Sequence, residues 1–318
     1  MTTSPWTVET LTTAQLTQLT PLAPIDPFDP SLRRRAIWST DARKIALGKS
    51  DEVYAEKTGL MERPDLSDNE AAQWGLKLQD IIGCEVGHRL KMELKDADYQ
   101  LTHPKHHWMK SHFDFISYDG KTLVEVKNYH ASKRNKFDIR MMPLDDRAQC
   151  VHEAAVHGVS RVILAVLFGG QELHTIDSEI LEAEKDELIQ TEAELWAAIT
   201  AKSPPAASSP ETARILWPQS SLGHVVADAR LEQMCAALKA IKDNISKLEK
   251  QEKEYTSAIQ TAMQANGSLV AIDGTVLATW HTAKSSKSFN RELFQQTHPT
   301  MYESFVRETL GSRRFLLK

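Results

Sequence analysis

Residues 112–127 read His-Phe-Asp-Phe-Ile-Ser-Tyr-Asp-Gly-Lys-Thr-Leu-Val-Glu-Val-Lys, and their reading decides the fold. Two short apolar runs flank Asp119-Gly120, a dipeptide that favours the positive φ angles of tight hairpin turns. The spacing predicts a β-hairpin with Asp114 on the first strand and Glu125 and Lys127 on the second. Side chains alternate along a strand, so Glu125 and Lys127 share one face while Val124 and Val126 take the other. The hairpin can then set Asp114 beside them. Two carboxylates and an ammonium at one spot suit a hard divalent cation and a phosphate ester. Carboxylate oxygens hold Mg²⁺, and the lysine acts on a nearby water or phosphate oxygen. A solvated hairpin edge is the competing account of Glu-x-Lys. Against it stand the valines on the opposite face and the position of Asp114 between Phe113 and Phe115, where an unpartnered carboxylate is costly.

The whole chain has 318 residues, 41% hydrophobic and 25% charged, with a formal net charge of −5. Those proportions are ordinary for a soluble globular protein of one large or two smaller domains. There is no global basic signal for nucleic acid, so a DNA-handling protein of this charge must keep its cations local. Cys84, Cys150 and Cys235 are scattered and odd in number, which argues for a reducing cytoplasm and against a disulfide framework. No apolar run approaches membrane-span length, and the N-terminus lacks a basic-then-apolar secretion pattern.

Residues 1–30 are rich in Thr and Pro and are expected to be irregular apart from a short turn of helix. A helix capped by Ser39, Thr40 or Asp41 follows. Residues 68–90 read as a helix with Trp74, Leu78, Ile81, Ile82 and Val86 on its apolar stripe. After the hairpin, 145–158 reads as helix, 160–168 as a central strand ending at Gly169-Gly170, and 177–201 as an acidic helix. Ser203-Pro204-Pro205-Ala206-Ala207-Ser208-Ser209-Pro210 has linker composition. Three segments are therefore expected: a core over 1–202, a linker over 203–220, and a helical part over 221–318. In the last, Leu231, Met234, Leu238, Ile241, Ile245, Leu248, Tyr255 and Ile259 form a heptad-like seam on a helix of roughly 40 residues, which needs a partner surface. Ala271-Ile272-Asp273-Gly274-Thr275-Val276 reads as a second hairpin.

Together, Asp114, Glu125-x-Lys127 and the preceding helix resemble the PD-(D/E)xK nuclease superfamily, and within it the phage lambda exonuclease and YqaJ-type viral recombinase family. Four further stretches carry the resemblance. They are Leu32-Arg33 through Ile37-Trp38-Ser39-Thr40-Asp41, Trp74-Gly75-Leu76-Lys77-Leu78-Gln79, Asp145-Asp146-Arg147-Ala148-Gln149-Cys150-Val151-His152, and His298-Pro299. The core match covers roughly residues 30–170; each motif is short, and their order and spacing are the specific part. The resemblance implies an α/β fold, a mixed central sheet flanked by helices, with a C-terminal coiled-coil-like helical domain. It also implies Mg²⁺-dependent 5′-to-3′ digestion of double-stranded DNA ends in recombination by single-strand annealing, with Mn²⁺ able to substitute. An annealing protein as partner, a homo-oligomer (a trimer by preference) and a phage or prophage origin in a bacterial cytoplasm follow from the same resemblance.

By the same implication, Asp114 and Glu125 with the Val126 carbonyl hold the metal, Lys127 orients or deprotonates the attacking water, and Gln149 joins the catalytic set. Gln79 stands where the family places Glu, which leaves a weakened second metal site, another acid or an engineered substitution as explanations. A metal beside Lys127 is expected to lower its pKa. Arg33, Arg35 and Thr40 are candidates for a 5′-phosphate, and Lys133 and Arg134 for the DNA backbone, each against the alternative of a solvated basic run. His152 can face the site or pack between helices. His103, His106 and His107 have no defensible zinc spacing. Two rival functions use the same residues: a structure- or sequence-specific DNA endonuclease, and a catalytically weak DNA-binding or scaffold protein.

Overall fold

The computed structural model describes residues 30–97, 100–137, 141–308 and 311–318; the irregular segment expected before Pro30 lies outside them. The chain divides into two units between Pro218 and Gln219. The first begins with α1 (Pro30–Arg34), β1 (Ile37–Trp38), α2 (Ser39–Ala46), α3 (Ser50–Thr58) and α4 (Glu70–Leu90). Short strands β2 (Leu94–Asp96), β3 (Leu101–Thr102) and β4 (Met109–Ser111) lead to the hairpin of β5 (Phe115–Ser117) and β6 (Thr122–Tyr129). Then come α5 (Leu144–His157), β7 (Arg161–Phe168), β8 (Glu172–Glu179), α6 (Glu182–Thr200) and α7 (Pro210–Leu216).

The main sheet runs in the order β2-β5-β6-β7-β8. Strands β6 and β7 are parallel, joined by the crossover through α5, while the other neighbours are antiparallel. The fold class is therefore mixed α/β, as the hairpin implied. The turn of that hairpin forms for identifiable reasons. Gly120 takes φ +73°, a conformation open to a residue without Cβ. The Ser117 hydroxyl donates to Asp119 Oδ1 at 2.6 Å and accepts from the Thr122 amide at 3.0 Å. Phe115 then pairs with Val124 and Ile116 with Leu123.

Each face of the sheet is covered by one helix. Ile82 and Val86 of α4 pack on Val124, Val126, Ile163 and Ala165. Cys150, Val151 and Ala154 of α5 pack on Leu123, Val162, Leu164 and Val166. The unbroken apolar run of β7 reflects burial on both faces. The helix stripe is narrower than the sequence suggested, because Trp74 and Ile81 lie 48% and 65% exposed. Only Leu78, Ile82 and Val86 of the expected set face the sheet.

The acidic helix expected over 177–201 starts later, at Glu182. Gly169 and Gly170, both at positive φ, reverse the chain, and Glu172–Glu179 returns as β8 along the full length of β7. Ile176 and Ser178 are buried while Asp177 and Glu179 are exposed, a period-two alternation that marks the strand. The linker-like stretch is docked. Asp51 accepts from the Ser208 amide at 2.5 Å and its hydroxyl at 2.9 Å, and Leu216 of α7 joins the cluster of Ile37, Val53 and Leu195.

The second unit contains α8 (Ala229–Met263), the antiparallel pair β9 (Ser268–Val270) and β10 (Val276–Thr279), α9 (Arg291–Thr297) and α10 (Pro299–Phe305). The expected long helix is 35 residues. The second hairpin turns at Gly274, φ +86°.

Close approach of α4 to the sheet generates a stability prediction. A Cβ on Gly83 would lie 2.4 Å from the Phe115 ring, whereas one on Gly75 would meet nothing within 4 Å. Urea denaturation should show Gly83→Val destabilised by about 1–3 kcal/mol. Gly75→Ala should be unchanged or stabilised by up to about 1 kcal/mol. Equal effects at the two positions would contradict this packing.

Candidate active site

Strand β6 places Glu125, Lys127 and Tyr129 on the face covered by α5. Asp114 immediately precedes β5, opposite Glu125, and its Oδ2 accepts from the Val126 amide at 2.7 Å. Lys127 Nζ donates to Glu125 Oε1, and Asp114 and Glu125 are close enough to share a hydrogen bond. Asp114, Glu125 and Lys127 thus converge around the β5–β6 register.

Helix α5 closes the other side. Gln149 Nε2 donates to Glu125 Oε1 at 2.5 Å and to Glu153 Oε1 at 2.8 Å. Its carbonyl oxygen accepts from Arg43 at 3.4 Å. Arg43 of α2 also donates to Tyr129 at 2.9 Å and pairs with Asp145 at 2.5 Å and Asp146 at 2.8 Å. Tyr129 in turn donates to Asp146 at 2.7 Å.

The electrostatics follow from crowding acids in a buried place. Burial first, and the neighbouring Glu125 second, push the Asp114 carboxyl up to about 8. Burial and Glu125 likewise push Glu153 well above the usual carboxylate range, and its Oε2 is buried without a hydrogen bond. Burial works against the charge on Lys127, but Glu125 and Asp114 outweigh it and hold the ammonium above the ordinary lysine value. The expectation of a lowered lysine pKa concerns a site that holds a metal. The two carboxylates set the direction, and it reverses only if a cation draws their charge away.

The donor chemistry fits a hard dication: two adjacent carboxylates, with the proton affinity of Asp114 raised by burial and by the charge of Glu125. Among the described residues, no three His, Cys, Asp or Glu side chains converge in a metal-binding group. The carboxylates that meet on the hairpin are Asp114 and Glu125. Gln79 is half-buried on the α4 face that carries Ile82 and Val86 one and two turns later, and no hydrogen bond joins it to either carboxylate. Asp80, its neighbour, is exposed.

Arg33 and Thr40 are brought together, with Arg33 Nη1 donating to Thr40 Oγ1 at 3.3 Å. The Arg33 guanidinium also lies 4.5 Å from the centre of the Trp38 ring. Arg33, Arg34 and Arg63 line a small cleft with Glu56 and Lys57. Burial and Arg63 lower the Arg33 pKa to about 10. Arg35 is exposed and apart from this cleft. Asp41 caps α2 by reaching back to the Trp38 amide at 2.9 Å, and Lys57 pairs with it. Lys133 lies over the Tyr129 ring, whereas Arg134 is engaged by Glu172 and the Phe137 carbonyl.

His152 faces away from the carboxylates. Its Nδ1 meets Glu192 of α6 at 2.8 Å and its Nε2 meets the Lys110 carbonyl at 2.9 Å, tying α5 to α6 and β4. His103 Nδ1 accepts the Lys105 and His106 amides, so it shapes a turn. Arg43, Tyr129, Asp146 and Glu153 escaped the sequence reading. Tyr129 continues the alternation of Glu125 and Lys127, and Glu153 lies one helical turn from Gln149. Arg43 carries no local signal.

Residues 31–160 match the family model of the YqaJ-like viral recombinase domain. The chain is 26% identical over 300 residues to the uncharacterized protein YqaJ of Bacillus subtilis (strain 168), covering 90% of this chain and 92% of that one. It is similar to an alkaline exonuclease (LHK-Exo) from Laribacter hongkongensis, with a TM-score of 0.45 at 11% identity over 54% of this chain and 92% of that one. For a phage-related exonuclease from Haemophilus somnus 129PT the TM-score is 0.41 at 11% identity, over 55% of this chain and 96% of that one. Residues 31–160 are thus similar to the YqaJ-like viral recombinase domain, and the chain over most of its length is similar to YqaJ.

The Arg43 cluster makes its own prediction. Lysine cannot reproduce a planar fork that reaches Gln149, Tyr129, Asp145 and Asp146 together. Arg43→Lys should lower stability to urea by about 1–3 kcal/mol, the cost of stranding partly buried charged partners. A loss below about 0.5 kcal/mol would show that these contacts carry no net stability.

Proposed function

We propose that the protein is a metal-dependent deoxyribonuclease that digests double-stranded DNA from its ends, 5′ to 3′, in phage-type recombination. The observation that carries this reading is the meeting of half-buried Asp114 and Lys127 with buried Glu125 on one hairpin, within the stretch that matches the YqaJ-like viral recombinase domain. Asp114 and Glu125 are the ligands for Mg²⁺, or Mn²⁺ in its place, with the Val126 carbonyl beside them. When bound, the cation polarises the scissile phosphate and stabilises charge on the leaving oxygen.

The chain's own groups do the rest. Lys127 Nζ donates to Glu125, which holds the ammonium beside the two carboxylates. From there it would orient the attacking water against the phosphate. Gln149 fixes the Glu125 carboxylate through one N–H and is itself fixed by Arg43 and Glu153. Arg33 and Thr40 hold the 5′-phosphate, with Arg63 and Arg34 adding positive charge to the same cleft. Lys133 follows the backbone beyond the site. Because local cations hold a polyanion, affinity falls steeply with salt. A single-strand annealing protein receives the product strand, and more than one copy of the chain encircles the duplex, a trimer by preference.

Asp114→Ala, Glu125→Ala and Lys127→Ala should each lower release of nucleotides from linear duplex by at least about 100-fold while circular dichroism is unchanged. Near-normal activity in a folded variant removes that residue from the mechanism. Gln79→Glu adds a carboxylate on the α4 face over the sheet. It should raise activity at limiting Mg²⁺ and tighten Mn²⁺ binding measured by calorimetry. Unchanged Mn²⁺ affinity would place Gln79 outside the metal site.

A further inference from the structure

The last 39 residues differ in character from the rest of the chain. Residues 280–318 contain seven Lys or Arg against three Asp or Glu, in a protein whose net charge is −5. The same stretch holds Trp280, Phe289, Phe294, Tyr302, Phe305 and Phe315. In the structure several of these rings stand at the surface. Phe289 and Phe305 are 73% and 80% exposed. Together with Phe294, Tyr302, Arg291 and Arg307 they line an open cleft of about 500 Å³ formed by α9 and α10.

The rings are arranged, not scattered. Phe289 and Phe294 lie with centroids 5.1 Å apart, and Phe294 continues to His298 at 5.3 Å. Arg291 Nε donates to the Tyr302 hydroxyl at 2.6 Å, which holds its guanidinium over the Tyr302 ring. Arg307 also lines the cleft. A hydrophobic peptide would be matched by the rings but gains nothing from the surrounding cations. Duplex DNA would be matched by the cations, but its bases are stacked on each other and cannot use the rings. A single strand matches both, because unpaired bases stack on aromatic side chains while phosphates meet Arg and Lys.

We propose that the α9–α10 cleft binds single-stranded DNA, with bases on Phe289 and Phe305 and phosphates on Arg291 and Arg307. Digestion of one strand of a duplex leaves such a strand on the same molecule, so the proposal rests on the exonuclease reading for its substrate in the cell. The cleft itself does no chemistry.

The test measures binding without cleavage. Fluorescence anisotropy of a labelled 20-nucleotide oligo-dT and of a labelled duplex of equal length is followed in EDTA at fixed salt with the full chain. The comparison is with the full chain carrying Phe289→Ala and Phe305→Ala, two exposed positions whose truncation leaves the fold intact by circular dichroism. The expected result is affinity for oligo-dT weakened at least about 10-fold in the double variant, with duplex binding changed less than about 2-fold. Unchanged oligo-dT binding in the folded variant, or equal losses for single strand and duplex, overturns the proposal; unchanged binding would leave the cleft to a protein partner. Nucleotide release is assayed separately with Mg²⁺. A wild-type chain that binds oligo-dT through these rings but releases no nucleotides sinks the nuclease reading and not this one.

Discussion

Two carboxylates held against each other in a buried place are the constraint on which the rest of this structure depends. Asp114 and Glu125 repel, and burial adds to the cost of their charge. The fold keeps them together by fixing both from the backbone outward. The Val126 amide holds Asp114, the antiparallel register of β5 and β6 sets it opposite Glu125, and Lys127 two residues on supplies the nearest positive charge. β6 is the middle strand of five; β7 pairs along its whole length, Glu125 with Leu164 and Lys127 with Val166, while the ladder to β5 holds Leu123 and Val124. A bound cation would relieve that repulsion, which links the packing to the proposed chemistry.

The support around the pair comes from distant parts of the chain. Arg43 reaches from α2 to α5 and β6, and Gln149 passes its amide between Glu125 and Glu153. The buried His152–Glu192 contact carries one proton between its partners and anchors α5 from the side facing away from the site. Burial alone favours neutral forms of both, while their mutual attraction favours the ion pair, so geometry rather than net charge is what this contact fixes. Helix α5 is therefore held on both sides, and the amide of Gln149 is oriented by contacts that no short stretch of sequence contains.

That difference explains what could be read in advance. The Asp-Gly turn, the alternation of Glu125 and Lys127 with valines, and the apolar run of β7 are local signals, and local geometry enforces them. Strand β8 was missed because its period-two pattern is interrupted by half-buried His174 and Thr175 and its acids suggested a helix start. Ser203–Pro210 has the composition of a linker, yet Asp51, 157 positions from Ser208, ties it down. Trp74 and Ile81 followed helical spacing but fell on the flank that the sheet does not reach. Arg43 and Glu153 had no motif to announce them. They act through contacts made only once α2, α5 and β6 are assembled.

The central claim is that this carboxylate pair, with its lysine, removes nucleotides from DNA ends with the help of a divalent cation. The most direct measurement follows a linear duplex labelled at the 5′ end in one sample and the 3′ end in another, beside a covalently closed circle, with Mg²⁺ or with EDTA. Early release of the 5′ label as mononucleotide, a late loss of the 3′ label, an intact circle and no reaction in EDTA are the predicted result. Cutting of the closed circle, or no Mg²⁺-dependent release from either end, would contradict the account.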